Sequence, residues 1–123
     1  MQLLGGYHYI PVSNLQRSAE WYSDHLGFKL VFEDPLYLEL RSESGIRIIL
    51  ITNEDNVRSH MTYSNGPQAA YGFIVSNIES TYQQFIEKGI KIGRISNYQG
   101  TSFGFHDPDG NIIELWSDYP TNK

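Results

Sequence analysis

The chain contains no cysteine among its 123 residues. Disulfides, thiolate nucleophiles and sulfur-ligated metal sites are therefore excluded. No apolar run approaches the length of a membrane span, and the first residues lack the charged segment and long apolar core of a signal peptide. We therefore expect a cytoplasmic protein with no membrane partner.

Positive charge is also scarce. The chain has 9 Lys and Arg against 14 Asp and Glu, which gives a formal net charge of −5. The basic residues are scattered along the sequence, whereas a nucleic-acid binder normally carries a basic face. The charge balance therefore argues against a nucleic-acid partner and is typical of soluble proteins.

What the sequence does contain is enough apolar material for a core. Hydrophobic residues make up 40% and aromatic residues 14% of the chain. A chain of this size buries about two-thirds of its unfolded surface without needing disulfides. The composition indicates a globular class rather than a disordered one.

The most informative feature is an internal repeat. Val12-Ser13-Asn14-Leu15 returns as Val75-Ser76-Asn77-Ile78, an offset of 63 residues. Each copy follows an apolar, aromatic run and precedes a helix-like stretch that stops at a glycine and restarts as a strand. The repeat predicts one domain, residues 1–123, built from two modules at about residues 5–51 and 69–117.

Each module is predicted to be a strand, a helix and three further strands. In the first module a strand at residues 6–12 precedes a helix that starts at a capping box, Ser13-x-x-Gln16, and ends at Gly27. Apolar residues with a period of two then predict three strands between residues 28 and 51. Tyr22 should be buried under the helix.

The second module repeats this order. A strand at residues 70–75 precedes a capping box, Ser76-x-x-Glu79, and a helix that stops at Gly89 and buries Tyr82. Strands follow at 91–96, 102–106 and 111–117. The polar stretch 52–69 is predicted to be a linker.

Two segments carry a resemblance to a known family. They are AEWYSDHLGF at residues 19–28 and FHDPDGNIIELW at residues 105–116. With the paired modules, the chain from Tyr7 to Trp116 resembles the vicinal oxygen chelate superfamily of glyoxalase I, extradiol dioxygenases, fosfomycin-resistance enzymes and bleomycin-resistance proteins. The resemblance implies an α+β fold in which two βαβββ modules form curved mixed sheets with helices on the outer face.

The resemblance also implies where a metal ion would bind. Enzymes of this family hold a divalent ion with up to four residues, on the first and fourth strands of each module, and the ion polarises a substrate oxygen. The matching positions here are Tyr7, Ile49, Ala70 and Glu114. Because only Glu114 is a usual ligand, we expect no metal and no other cofactor, with Glu114 as a polar anchor.

His8 lies one residue away from the first of these positions. Side chains alternate along a strand, so if Tyr7 faces the cavity, His8 lies under the helix with Ile10 and Val12. A register slip or a bulge would reverse this and make His8 a ligand. A bound divalent metal remains an alternative only with that change of register.

The other histidines have simpler interpretations. His25 lies near the end of the first helix, where it favours the helix dipole. His60 lies in the predicted linker and is expected at the surface. His106 precedes the Asp107–Gly110 turn and, with Glu114, is a secondary candidate for an acid–base group, although no catalytic residue is assigned.

Strand parity predicts a ligand-binding face with aromatic and polar side chains. Such a lining suits a planar or amphipathic small molecule held by stacking. The alternative is that these aromatic residues only close a small core. The predicted ligand-binding residues are Tyr7, Tyr9, Arg47, Ile49, Gly72, Glu114 and Trp116, with Ile74 on the same face.

Two functions remain open. The first is a metal-free binding protein like the bleomycin-resistance proteins, which sequesters an antibiotic or a metabolite. The second is an enzyme: a metal-dependent lyase or isomerase like glyoxalase I, a resistance transferase, or a dioxygenase relative. In either case we expect a homodimer, because two open modules leave sheet edges, and the resemblance implies that these edges are covered by pairing, often with a second chain.

Overall fold

The structure is a computed structural model that describes residues 1–121. It divides into two compact units, of which the first is Met1–Arg58 and the second begins at Ser59. Each predicted module falls within one unit. That the two modules make a single domain stays a prediction.

The first unit contains one sheet and one helix. Its elements are β1 (His8–Val12), α1 (Leu15–Leu26), β2 (Lys29–Glu33), β3 (Tyr37–Arg41) and β4 (Arg47–Thr52). The strand order is β1-β4-β3-β2, with β1 parallel to β4 and the other pairs antiparallel. The order strand–helix–three strands is the one predicted from the sequence.

Alternation along these strands separates a buried face from an open face. Every second residue points toward α1, which packs on β2, β3 and β4. Tyr22 of α1 is completely buried, as predicted, and its ring meets that of Phe28 edge to face. The buried strand residues of this face are Ile10, Val12, Leu38, Leu40, Ile48 and Leu50.

The second unit contains a main sheet with one strand fewer than the first sheet, one helix and a separate hairpin. Its elements are β5 (Met61–Tyr63), β6 (Gly66–Gln68), β7 (Gly72–Ile74), α2 (Ile78–Glu87), β8 (Ser102–His106) and β9 (Ile112–Trp116). The main sheet has the order β7-β9-β8, with β7 parallel to β9. Mixed sheets and two helices confirm the predicted α+β class.

Two predictions for the second unit are wrong. Residues 91–96 do not form a strand within the described chain; they keep only isolated bridges, Ile92 to Phe105 and Ser96 to Ser102. Gly93 interrupts the run and weakens it as a strand. Residues 52–69 are not only a linker, because β5 and β6 form a hairpin there, closed by Gly66 with a φ of 126°.

The helix starts also differ from the prediction. Both helices begin one residue later than the capping boxes imply, because asparagine rather than serine caps them. The Asn14 side chain accepts the Arg17 amide at 2.9 Å, and the Asn77 side chain accepts the Ser80 amide at 3.2 Å. Gly27 ends α1 in the left-handed conformation, as predicted.

α2 is less deeply buried than predicted. Ile78 and Phe85 are buried, but Tyr82 is only half-buried, and its hydroxyl lies 3.5 Å from the Gly93 carbonyl oxygen. The polar end of a tyrosine commonly stays near the surface in this way. Among residues 1–121, neither helix has the length and apolar character needed to cross a membrane. A cytoplasmic location stays a prediction.

Candidate functional site

We call the side of β1 to β4 that is turned away from α1 the open face of the first sheet. This face carries aromatic residues on its edge strands, β1 and β2. Tyr9 pairs with Ile49, and Ile49 pairs with Glu39 on the other side. A bulge in β2 brings Phe32 opposite Glu39 and completes this row. The Tyr7 and Tyr9 rings meet edge to face with centroids 5.1 Å apart. The row therefore offers exposed ring surface to a ligand.

The tyrosine pair is also hydrogen-bonded. The hydrogen bond that the Tyr9 hydroxyl donates to the Tyr7 side chain, followed by electrostatic interaction with Tyr7, raises the pKa of Tyr9 above its ordinary value. Because the Tyr9 hydroxyl is engaged with Tyr7, Tyr9 offers a ligand chiefly its ring.

A second row on the same open face consists of basic residues. Lys29 pairs with Arg41, and Arg41 pairs with Arg47 across β3 and β4. We call Lys29, Arg41 and Arg47 the basic row. Its neighbour Glu39 places Oε2 at 2.7 Å from Arg41 Nε and at 3.9 Å from Arg47 Nε. Arg47 is thus the more loosely held of the two arginines.

A cavity of about 440 Å³ borders this face, within the size range of small-molecule sites. It contains two of the predicted ligand-binding residues, Tyr7 and Arg47, and no acidic side chain. Its lining residues are Leu4, Gly5, Gly6, Tyr7, Gly45 and Arg47. Another cavity of the same unit, of about 610 Å³, lies by the start of α1 and the β2–β3 turn, and sequence reasoning missed it.

We call the side of β7 to β9 that is turned away from the buried residues the open face of the second sheet. Glu114 lies on this face. Glu114 lies between Gly72 on β7 and Gly104 on β8. A Cβ atom at position 72 would lie 2.5 Å from the Glu114 carbonyl oxygen and 2.7 Å from its Cγ. The space beside Gly72, one of the predicted ligand-binding residues, is therefore filled by Glu114.

His106 and Trp116 share this second open face with Glu114. Burial, followed by the charge of Lys91, lowers the pKa of His106. His106 Nδ1 and Trp116 Nε1 are buried and have no hydrogen-bond partner among residues 1–121. A neutral imidazole can serve as an acid–base group, and a catalytic role for His106 with Glu114 stays a prediction.

The other histidines have structural positions. His60 lies in the bend before β5, as expected of a loop residue, but it is half-buried, and its Nδ1 accepts a hydrogen bond from the Ile112 amide at 3.1 Å. The His25 ring contacts the Trp21 ring in the last turn of α1. Local sequence could not reveal the His60 contact, because its partner lies 52 residues away.

His8 lies on the opposite face from the tyrosines. It pairs with Ile48, which is completely buried, whereas Tyr9 pairs with Ile49 on the open face. Partial burial lowers the pKa of His8, as expected for a histidine beside the apolar face. The register slip that would turn His8 toward the open face does not occur in β1.

The residues at the metal positions implied by the resemblance offer few donor atoms. Tyr7, Ile49 and Ala70 offer at most one phenol oxygen, and Glu114 offers one carboxylate. Residues 1–121 contain no group of three or more His, Cys, Asp or Glu that could hold a metal ion. This donor set does not fit a divalent metal, which usually takes three protein ligands in such enzymes. The absence of a bound metal stays a prediction.

A polar network stabilises the turn between β8 and β9. The sequence motif indicated the turn but not the network. Asn111 is completely buried; its amide and side chain donate to the two Asp107 oxygens at 2.9 Å. The Asn111 side-chain oxygen accepts the Ser59 amide at 3.0 Å. The Asp-Pro-Asp-Gly-Asn motif therefore has a structural role in positioning the start of β9.

Comparison with known proteins agrees with this architecture. A curated relative, catechol-2,3-dioxygenase from Bacillus subtilis (strain 168), is 28% identical over 120 residues, 94% of this chain, but the chain spans only 41% of that relative. Among solved structures, TnmS3, an antibiotic binding protein from Streptomyces sp. CB03234, matches with a TM-score of 0.68 and 19% identity, covering 94% of this chain and 98% of that chain.

A bleomycin resistance determinant encoded on transposon Tn5 is similar to the same degree. Its TM-score is 0.68 at 18% identity, over 95% of this chain and 99% of that one. At this level of identity both structural likenesses show the fold. The family model of the Glyoxalase/Bleomycin resistance protein/Dioxygenase superfamily matches residues 6–115. The chain belongs to this superfamily.

Proposed function

We propose that this protein binds a small aromatic or amphipathic molecule, an antibiotic or a metabolite, on the open face of its first sheet without a metal ion. The observation that carries the proposal is the exposed Tyr7–Tyr9 pair beside the cavity of about 440 Å³. Tyr9 leaves about half of its surface exposed, at 52%, although it lies in a strand whose next residues are buried. Exposed aromatic rings beside a cavity favour a stacked ligand.

The donor set supports binding over metal-assisted catalysis. Glu114 is the single carboxylate at the four positions where the family's enzymes hold their ion. A lone carboxylate binds a hard divalent ion weakly, because most of the coordination shell stays water. Structural neighbours named as a bleomycin resistance determinant and an antibiotic binding protein support the same function.

A neutral aromatic probe tests this proposal. N-phenyl-1-naphthylamine, whose fluorescence rises in an apolar site, should bind to protein dialysed against EDTA. Tyr9→Ala should weaken its binding roughly threefold to tenfold, the range expected for one lost aromatic contact. The matched control is Tyr63→Ala, because Tyr63 is equally exposed, at 52%, but lies in β5 of the second unit.

Two outcomes would overturn the proposal. One is that the wild-type protein does not bind the probe; the other is that Tyr9→Ala and Tyr63→Ala bind it alike. If binding or turnover instead required an added divalent ion and was abolished by Glu114→Ala, the metal-dependent enzyme would replace the binding protein as the function.

We also propose a homodimer. β2 lies at one edge of the first sheet, and within residues 1–121 its partner strand is β3. Its consecutive residues Leu30, Val31 and Phe32 are 39%, 48% and 51% exposed, which is unusual for an edge strand that stays unpaired in solution. Sedimentation at about tens of micromolar should show the dimer, and Val31→Lys should shift it toward the monomer. A monomeric wild-type protein would contradict this.

A further inference from the structure

The basic row breaks a rule of sheet pairing. Lys29 and Arg41 lie directly opposite each other, and so do Arg41 and Arg47. Directly opposed like charges on one face of a sheet destabilise it. Local conflicts of this kind are expected at functional or strained sites.

The protein supplies too little negative charge to balance the row. Among residues 1–121, the acidic residue in ionic contact with the row is Glu39, and its Oε2 is shared by Arg41 at 2.7 Å and Arg47 at 3.9 Å. At 3.9 Å, the contact of Arg47 Nε with Glu39 is beyond hydrogen-bond distance. The row therefore keeps uncompensated positive charge, in a chain whose formal net charge is −5.

Arg47 is the member best placed for a ligand. About half of its side chain, 49%, is exposed, and it lines the cavity of about 440 Å³ together with Tyr7. Its terminal nitrogens have no hydrogen-bond partner among residues 1–121. A guanidinium with free donors is suited to the bidentate binding of a carboxylate, sulfonate or phosphate.

We call the row formed by Tyr9, Ile49, Glu39 and Phe32 the aromatic row. It lies next to the basic row on the same face. Ile49 follows Arg47 by two residues on β4, so the two rows are about 7 Å apart. Tyr9 and Phe32 belong to the aromatic row. One molecule of moderate size can therefore place an acidic group on Arg47 and a ring against Tyr9.

We infer that the ligand of this protein is an aromatic acid: its ring lies on the Tyr9 row and its anionic group, a carboxylate, sulfonate or phosphate, binds the basic row through Arg47. This inference rests on the proposed function, because it names the class of ligand for the same face. It assigns Arg47 the role of selecting anionic over neutral ligands.

A pair of probes that differ in one acidic group tests the inference. 1-Anilinonaphthalene-8-sulfonate is N-phenyl-1-naphthylamine with an added sulfonate. Wild-type protein should bind the sulfonate roughly tenfold more tightly than the neutral probe, and added salt should reduce this preference. Arg47→Gln should remove this preference, because it takes away the group that binds the sulfonate.

The control variant is Arg94→Gln, which removes the same charge from an exposed position of the second unit and should keep the preference. The inference is overturned if the two probes bind wild-type protein equally, if Arg47→Gln and Arg94→Gln lower sulfonate binding alike, or if neither probe binds. If wild-type protein binds the two probes equally and Tyr9→Ala weakens the binding of both, the anionic class of ligand is wrong but the proposed function stands.

Discussion

Gly72 lies directly opposite Glu114, and the side chain of Glu114 fills the space that a Cβ atom at Gly72 would need. Gly72 is among the predicted ligand-binding residues, but its neighbouring space is occupied by the protein itself. The glycine instead permits the close approach of two neighbouring strands at the position of the family's carboxylate.

Gly72→Ala should destabilise the protein by roughly 1–3 kcal/mol, because the new methyl group would collide with backbone as well as side-chain atoms of Glu114. Gly104→Ala is the matched control on the other side of Glu114. Its Cβ would have no neighbour closer than 3.8 Å, so its effect should be much smaller. Urea unfolding measures both, and equal losses would show that the close approach at Gly72 does not exist.

Arg47→Gln should leave the free energy of unfolding unchanged or raise it by about 0.2–1 kcal/mol, because it removes one directly opposed pair of like charges. Arg41→Gln is the comparison. It removes the 2.7 Å ion pair with Glu39 and should not be stabilising to the same extent. Thermal unfolding at low salt checks this. A marked loss of stability in Arg47→Gln would mean that Arg47 supports the fold rather than a ligand.

His106 should make stability depend on pH. Its folded pKa lies below the ordinary value of about 6.5, chiefly because of burial, so the native state favours the neutral ring. The stabilising contribution is complete above the unfolded pKa and is lost as pH falls from about 6.5 toward the lower folded pKa, because the unfolded chain then binds more protons. His8, whose pKa is also lowered, adds to the same slope.

NMR titration of the imidazole resonances measures this directly, and unfolding experiments between about pH 7 and pH 5 give the slope. His106→Gln should reduce the slope without removing it, since His8 remains. A His106 that titrates at or above the ordinary value would contradict the burial seen on this face.

The fold was largely predictable because its two modules repeat the same local sequence patterns. Buried alternation at Leu38 and Leu40, the glycine stop at Gly27 and the repeated helix starts all depend on neighbours in sequence. The helix caps were misplaced by one residue because Ser and Asn are both good caps. The choice of Asn14 depends on backbone geometry that the sequence does not display.

The candidate site was only partly predictable. Strand parity correctly separated Tyr9 from His8, because it needs only the period of a strand. The basic row was missed, since Lys29, Arg41 and Arg47 come together only through the register of three strands. The sequence carried the signal, one basic residue at the start or end of each strand, but the β2 bulge cannot be located without the pairing.

The metal content of the purified protein tests the central claim most directly. After dialysis against a chelator and then buffer, we expect zinc, nickel, manganese and iron to total less than about a tenth of an equivalent per chain, because Glu114 is the lone carboxylate at the family's metal positions. Aromatic probe binding should persist in the same sample. A stoichiometric metal ion that survives dialysis and is lost in Glu114→Ala would contradict metal-free binding and establish a metal centre instead.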